Sequence, residues 1–91
     1  VFEVVQVIPQ SNFTVIVYFD DGKIVIYDMK PLIEKGNYEK ISKSNEFIDK
    51  CVVLNGTLAW DVEGKMNEKN CIIMDVNEVY NNGTLVEEPI D

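Results

Sequence analysis

The chain has 91 residues, 46% of them hydrophobic, and sixteen acidic residues against eight basic ones give it a formal charge of −8. A chain of this length holds one core of useful size and not two, and a field of this sign repels phosphate backbones, which argues against direct nucleic-acid binding. Histidine is absent, so Ser-His-Asp and Cys-His nucleophiles, imidazole metal sites and the usual general base near neutral pH are all excluded.

Phe2 to Ile8 has strand character, with Phe2, Val4 and Ile8 on one face and Val5 and Val7 on the other. Pro9 stops that run, and Gln10-Ser11-Asn12 connects it onward. Two apolar runs, Phe13 to Phe19 and Ile24 to Tyr27, then meet across Asp20-Asp21-Gly22-Lys23. Asp-Gly between β-rich runs predicts a hairpin closed by a type I′ turn, which needs positive φ at both central residues. With Asp21-Gly22 as that turn, Phe19 lies opposite Ile24, Val17 opposite Ile26 and Val15 opposite Asp28. One face is then Phe13, Val15, Val17, Phe19, Ile24 and Ile26, the expected core. The other carries Thr14, Ile16, Tyr18, Val25 and Tyr27 and is too apolar to be left fully wet. Short helices, the last hairpin or a second subunit are the candidates to cover it, and Ile16, Tyr18, Val25 and Tyr27 are the candidate interaction surface, since tyrosine buries a ring while keeping its hydroxyl at an interface edge, although such tyrosines more often finish a small core.

Past Asp28 the period changes. Pro31 to Lys35 fits one helical turn closed by Gly36, and Asn37 to Ile41 continues as a tight turn at most. Ser44 reads as the N-cap of a short helix through Asp49, anchored by Phe47 and Ile48. A second hairpin follows: Cys51 to Leu54, the turn Asn55-Gly56, then Thr57 to Trp60, with Val53 facing Leu58 and Cys51 facing Trp60. Asp61 to Cys71 is the least regular stretch. Asp75-Val76-Asn77-Glu78 forms an Asp-x-x-Glu capping box for a last helix that buries Val79 and Tyr80, and Asn82-Gly83 supplies a left-handed stop. Residues 1–83 thus read as a single α+β domain, while 84–91 form a tail in which Thr84 to Val86 fits an edge strand and Glu87 to Asp91 reads as frayed.

Chemistry has few places to reside. Cys51 and Cys71 lack Cys-x-x-Cys spacing and a basic activator, and read as free thiols packed among Val52, Val53, Ile72 and Ile73. Asp20-Asp21 is accounted for as turn chemistry. Asp61-x-Glu63 beside Trp60 is the remaining candidate for a small-ligand or carboxylate-based catalytic site, although size makes the only tryptophan a core plug first. The Asp-x-Asp-x-Asp-Gly series of a calcium loop and the glycine-rich loops that hold phosphates are missing, so neither a metal nor a cofactor is implied. The first nine residues show neither a basic leader nor a cleavage site, and no window approaches a membrane span, which makes the cytoplasm the expected compartment.

The order of these elements resembles the small bacterial domains grouped as domain-of-unknown-function family 2442. The residues that carry the resemblance are Val7-Ile8-Pro9, Val17-x-Phe19-x-Asp21-Gly22, the Tyr27-Asp28 step into Pro31-Leu32-Ile33, Phe47, Gly56-x-Leu58-x-Trp60 and Asp75-x-x-x-x-Tyr80. Many members pass from the tryptophan directly through a short turn into the last helix, whereas the Asp61 to Cys71 segment is longer here. The resemblance implies a compact domain without assigned activity, found alone or joined to a helix-turn-helix module, and sometimes encoded beside another small protein in a pair resembling toxin and antitoxin. The combined expectation is an antiparallel sheet built from the N-terminal strand and two hairpins, with two or three short helices. Its role is that of a non-catalytic cytoplasmic module that binds a protein partner or a second copy of itself, away from nucleic acid and membrane. The alternative is a small-ligand or enzymatic site at Trp60, Asp61 and Glu63.

Overall fold

β-Branched and aromatic side chains fit a pleated, half-buried surface, and the runs rich in them form the strands of the computed structural model, which describes residues 2–87. In chain order the elements are β1 (Val4–Pro9), β2 (Thr14–Phe19), β3 (Ile24–Asp28), a 3-10 helix (Gly36–Ile41), α1 (Ser44–Lys50), β4 (Cys51–Leu54), β5 (Thr57–Trp60), a 3-10 turn (Glu68–Asn70), β6 (Ile72–Ile73), α2 (Val76–Asn82) and β7 (Thr84–Leu85). The fold is α+β. Its strands divide between two antiparallel sheets, β1-β2-β3-β7 and β4-β5-β6, instead of joining in one. The second hairpin meets β1 at its turn, where the Val4 N–H donates to the Gly56 carbonyl at 2.8 Å.

Between the sheets lies the core, built from Val4, Val15, Val17, Phe19, Val25 and Tyr27 on one side and Leu58, Trp60 and Ile72 on the other. Phe47, Ile41, Met29 and Val79 fill it from the helices and connections. Trp60 is fully buried and its indole Nε1–H donates to the Phe47 carbonyl at 2.9 Å, so the largest side chain also has its one polar atom satisfied. Burying such a ring is worth roughly 4–6 kcal/mol before any entropic cost.

The first hairpin departs from the type I′ expectation. Gly22 alone takes positive φ, at +93°, while the Gly22 N–H donates to the Phe19 carbonyl at 3.0 Å and the Phe19 N–H to the Lys23 carbonyl at 2.9 Å. That is a three-residue loop with glycine at the bulge position. Pairing is Val15 with Tyr27, Ile16 with Ile26, Val17 with Val25 and Tyr18 with Ile24, one residue away from the two-residue register. A one-residue slip turns a whole strand over. Val25 and Tyr27 consequently face the core, and Ile24 and Ile26 face away from it.

A bulge between Val4 and Gln6 has the same effect on β1, bringing Val4 and Val7 inward together and leaving Ile8 paired with Ile16 on the outer side. Phe13 is not the first residue of β2 but a turn residue at φ +64°, held there by its ring, which meets Phe47 edge-on at 5.2 Å. By contrast, the second hairpin matches its prediction residue for residue: Asn55 and Gly56 both take positive φ, Cys51 pairs with Trp60, and Val53 with Leu58.

Several helical details differ from the sequence reading. Gly36 to Ile41 winds into a 3-10 helix rather than a tight turn, and Ser44 is the first residue of α1, behind Lys43, which caps without a side-chain bond. Phe47 is buried, whereas Ile48 is 38% exposed and anchors nothing. At α2, Asp75 accepts from the Asn77 N–H at 2.8 Å, but Glu78 accepts from the Tyr27 hydroxyl at 3.0 Å and from the Asn82 amide at 2.7 Å, so half of the capping box is used to fasten the helix to β3. Gly83 is not left-handed, with φ −67°; it is required because a Cβ there would stand 2.7 Å from Val25 Cγ2. That close approach delivers the chain to β7, which pairs antiparallel with β3 through Val25–Leu85 and Ile26–Thr84. Glu87 is exposed, and the rest of the tail expected to fray lies outside the described residues.

Candidate functional site

Two features of the surface stand out, a sheet face and a cleft. The face is the outer side of the larger sheet. Cross-strand partners share a face, so the pairs Ile8–Ile16 and Ile16–Ile26 form one aliphatic row, and Gln6–Tyr18 and Tyr18–Ile24 form the next. Ile16 is only 5% exposed although it lies outside the core cluster. Ile8 is 37% exposed, and Tyr18, Ile24 and Ile26 are half-buried. All the helical anchors named above, Phe47, Ile41 and Val79, pack on the opposite side. Polar residues mark the ends of the apolar strip: Thr14 pairs with Asp28 beyond Ile16–Ile26, and Asp20 and Asp21 stand at the hairpin tip.

Of the four residues named for an interaction surface, Ile16 and Tyr18 belong to this face. Val25 and Tyr27 do not; they are core residues, Val25 with no exposed area and Tyr27 with its hydroxyl bonded to Glu78. Burial, followed by that bonded carboxylate, pushes the Tyr27 hydroxyl up to about 12. Ile8, Ile24 and Ile26 take their places. The signal for them was present in the sequence, but β3 is apolar at four consecutive positions and its periodicity does not choose between registers.

Trp60, Asp61 and Glu63 do not converge. Trp60 is inside the core, and Asp61 is 7% exposed with its carboxylate occupied by the backbone of the loop that follows. Its Oδ1 accepts from the Gly64 N–H at 2.9 Å and the Lys65 N–H at 3.2 Å, and its Oδ2 from the Met66 N–H at 2.9 Å. These amides, that of Met66 foremost, hold the carboxyl below the usual range, and the Cys71 thiol adds to them at 3.7 Å. Asp61 is thus the clasp of the 61–66 turn. Burial, then the Asp61 charge, raises the Cys71 thiol, and burial pushes Cys51 to about 12, so neither sulfur is set up as a nucleophile.

Glu63 points to the second feature, a cleft of about 720 Å³ between the 3-10 helix at Gly36–Ile41 and the segment that leads into β6. Lys35, Lys40 and Lys69 line it together with Glu63, and Tyr38 and Ile73 are among its apolar lining residues. Sequence reasoning missed it because the contributing segments are some thirty residues apart in the chain and neither carries a motif. Among the described residues, no three His, Cys, Asp or Glu side chains are grouped so as to hold a metal ion. Among those residues also, no helix is long and apolar enough to cross a membrane.

Compared with known families, residues 4–83 match the model of DUF2442, described as a protein of unknown function, and the chain belongs to that family. No curated protein and no solved structure matches it.

Proposed function

We propose that this DUF2442 domain is a non-catalytic protein-interaction module that docks through the outer face of β1, β2 and β3. The observation that carries the reading is the contiguous row Ile8–Ile16–Ile26 with Tyr18 and Ile24 beside it, an apolar strip that lies off the core on the side away from the helical anchors. Association is driven by removing such a strip from water, and aromatic and aliphatic anchors surrounded by a polar rim are the common anatomy of interfaces. The partner is a protein that presents an apolar surface flanked by lysine or arginine. Asp20 and Asp21 at the hairpin tip, on a chain of charge −8, favour such a rim and disfavour a second copy of the same acidic domain. The second member of a two-gene pair, of toxin–antitoxin or regulatory kind, is the type of partner this surface suits. Two free thiols in a chain of this size accord with a reducing cytoplasmic setting.

The test is retention of a basic protein by the immobilised domain and by an Ile24→Lys/Ile26→Lys variant, followed by reconstitution of the purified pair at two salt concentrations. The expected result is retention by the parent chain only, with binding that weakens as salt rises and with unchanged thermal unfolding of the variant. Equal retention by both chains, or a concentration-dependent dimer of the parent that the variant abolishes, rejects the proposed partner.

A further inference from the structure

Over the whole chain acids outnumber bases two to one, sixteen to eight. In the cleft beside the 3-10 helix the ratio is inverted: three lysines, Lys35, Lys40 and Lys69, stand against one carboxylate, Glu63, a local formal charge of 3 − 1 = +2. None of the three forms an ion pair among the described residues, where the pair that does occur is Lys30 with Asp28 at 3.8 Å. Unpaired like charges converging on one concavity repel each other, and an acidic chain has neutralising carboxylates in plentiful supply. From this arrangement we infer a binding site for a small organic anion, one with a carboxylate or phosphate head on an apolar or aromatic body.

Each part of that ligand class follows from the lining. Lysine ammonium groups are mobile point charges that accept either head group without the fixed fork geometry arginine would impose, and the chain contains no arginine. The half-buried Tyr38 ring and the exposed Ile73 side chain supply the surface for an apolar body. A volume of about 720 Å³ lies within the range of small-molecule sites. Polyanions are disfavoured by the long-range field of the −8 chain, whereas a small anion is drawn in by charges closer than the screening length of about 8 Å in physiological salt. This site is separate from the outer sheet face and does not depend on the docking role proposed for that face.

The experiment is a ¹⁵N chemical-shift titration of the full chain with phenyl phosphate, benzoate, inorganic phosphate and benzyl alcohol, repeated on a Lys35→Gln/Lys40→Gln/Lys69→Gln variant. Because all three lysines are exposed, the variant is expected to keep the dispersion of the parent spectrum. Saturable shifts confined to residues 35–40 and 62–73 are expected with phenyl phosphate or benzoate, and whichever binds more tightly identifies the head group. The variant should bind that probe about tenfold more weakly, the sum of three modest exposed-charge contributions. Inorganic phosphate should bind less well than the aromatic anions, and benzyl alcohol not at all. Shifts spread evenly over Lys23, Lys43 and Lys50 as well, equal binding of benzyl alcohol, or undiminished affinity in the variant would each overturn the assignment.

Discussion

The two hairpins carry nearly the same turn signal, Asp21-Gly22 in one and Asn55-Gly56 in the other, and fold differently. At Asn55-Gly56 both residues are left-handed and the strands pair as a two-residue type I′ loop dictates. At Asp21-Gly22 only the glycine is left-handed, the loop takes in Asp20, and the register moves by one. Asparagine and aspartate both tolerate the left-handed region, so residue type alone does not separate the two cases. The difference lies in what the flanking strands are offered. Around the first turn, the Asp20 N–H donates to the Glu3 carbonyl at 2.9 Å and the Asp20 carboxylate accepts from the Glu3 N–H at 3.0 Å, which ties the extra loop residue to the start of β1. Asp21 meanwhile accepts from the Lys23 N–H at 2.9 Å and from the Tyr80 hydroxyl, and the Tyr80 ring carries Lys23 Nζ 4.0 Å above it. Both turns have tertiary partners, Glu3 and Tyr80 at the first and Val4 and Glu68 at the second, but only at the first do those partners engage the loop residue that shifts the register.

Removing Trp60 should produce the largest effect on that contrast. Trp60→Ala empties the centre of the core at the second hairpin and should lower unfolding stability by about 3–5 kcal/mol in urea denaturation. A loss under about 1 kcal/mol would mean that the second hairpin is peripheral.

Next comes the direct test of register. Val25→Ala should cost about 2–3 kcal/mol and Ile26→Ala less than about 1 kcal/mol, because only the former is a core side chain. The type I′ register reverses that order, so the ranking of two neighbouring variants in the same denaturation assay decides between them.

A smaller difference separates the turn glycines. Both Gly22 and Gly56 have positive φ, which penalises alanine by about 1 kcal/mol, but a Cβ at Gly56 would also lie 3.2 Å from the Glu3 side chain, while at Gly22 it meets nothing within 4 Å. Gly56→Ala should therefore be the more destabilising of the two by a few tenths of a kcal/mol, and the gap should shrink in a Glu3→Ala background.

The smallest effects are those of pH. Asp21, through the Tyr80 hydroxyl first and the Lys23 amide second, and Asp61, through the Met66 amide first, are both held below the ordinary carboxylate value of 3.8. Groups depressed on folding contribute stability above their unfolded pKa and lose it as pH falls through the folded one. The unfolding midpoint should accordingly drop below about pH 4, and less steeply in Asp21→Asn or Asp61→Asn. On the alkaline side Tyr27 is raised from 10.0 to about 12, so its contribution is complete below pH 10 and disappears as pH rises toward 12. Tyr27→Phe should flatten that limb, leaving the part due to Tyr80, whose hydroxyl is raised by its bond to Asp21.

Class and element order were legible because they depend on short-range chemistry. The proline that ends β1, the Xaa-Gly pairs, the Asp75 cap and the clustering of β-branched residues each act within a few residues of themselves. Which side of β3 faces inward was not legible, since Ile24, Val25, Ile26 and Tyr27 satisfy either assignment. Ile16 and Tyr18 lie on the outer face as the sequence predicts, since Val15, Val17 and Phe19 together make the more apolar side of β2, whereas Val25 and Tyr27 lie inside because the turn signal points to a register one residue away from the observed one. Asp61 looked like a candidate acid and is a loop clasp. Only a folded 61–66 turn brings three amides to its carboxylate.

By itself the sequence determined a small acidic α+β domain without imidazole chemistry, its second hairpin and its last helix, because composition, turn residues and caps operate locally. The tertiary structure decided the register of the first hairpin, the membership of the outer face and the gathering of Lys35, Lys40 and Lys69 around one cleft. Those outcomes depend on contacts between residues far apart in the chain, such as Glu3 with Asp20, Asp21 with Tyr80 and Val25 with Gly83, whose energies no local pattern encodes.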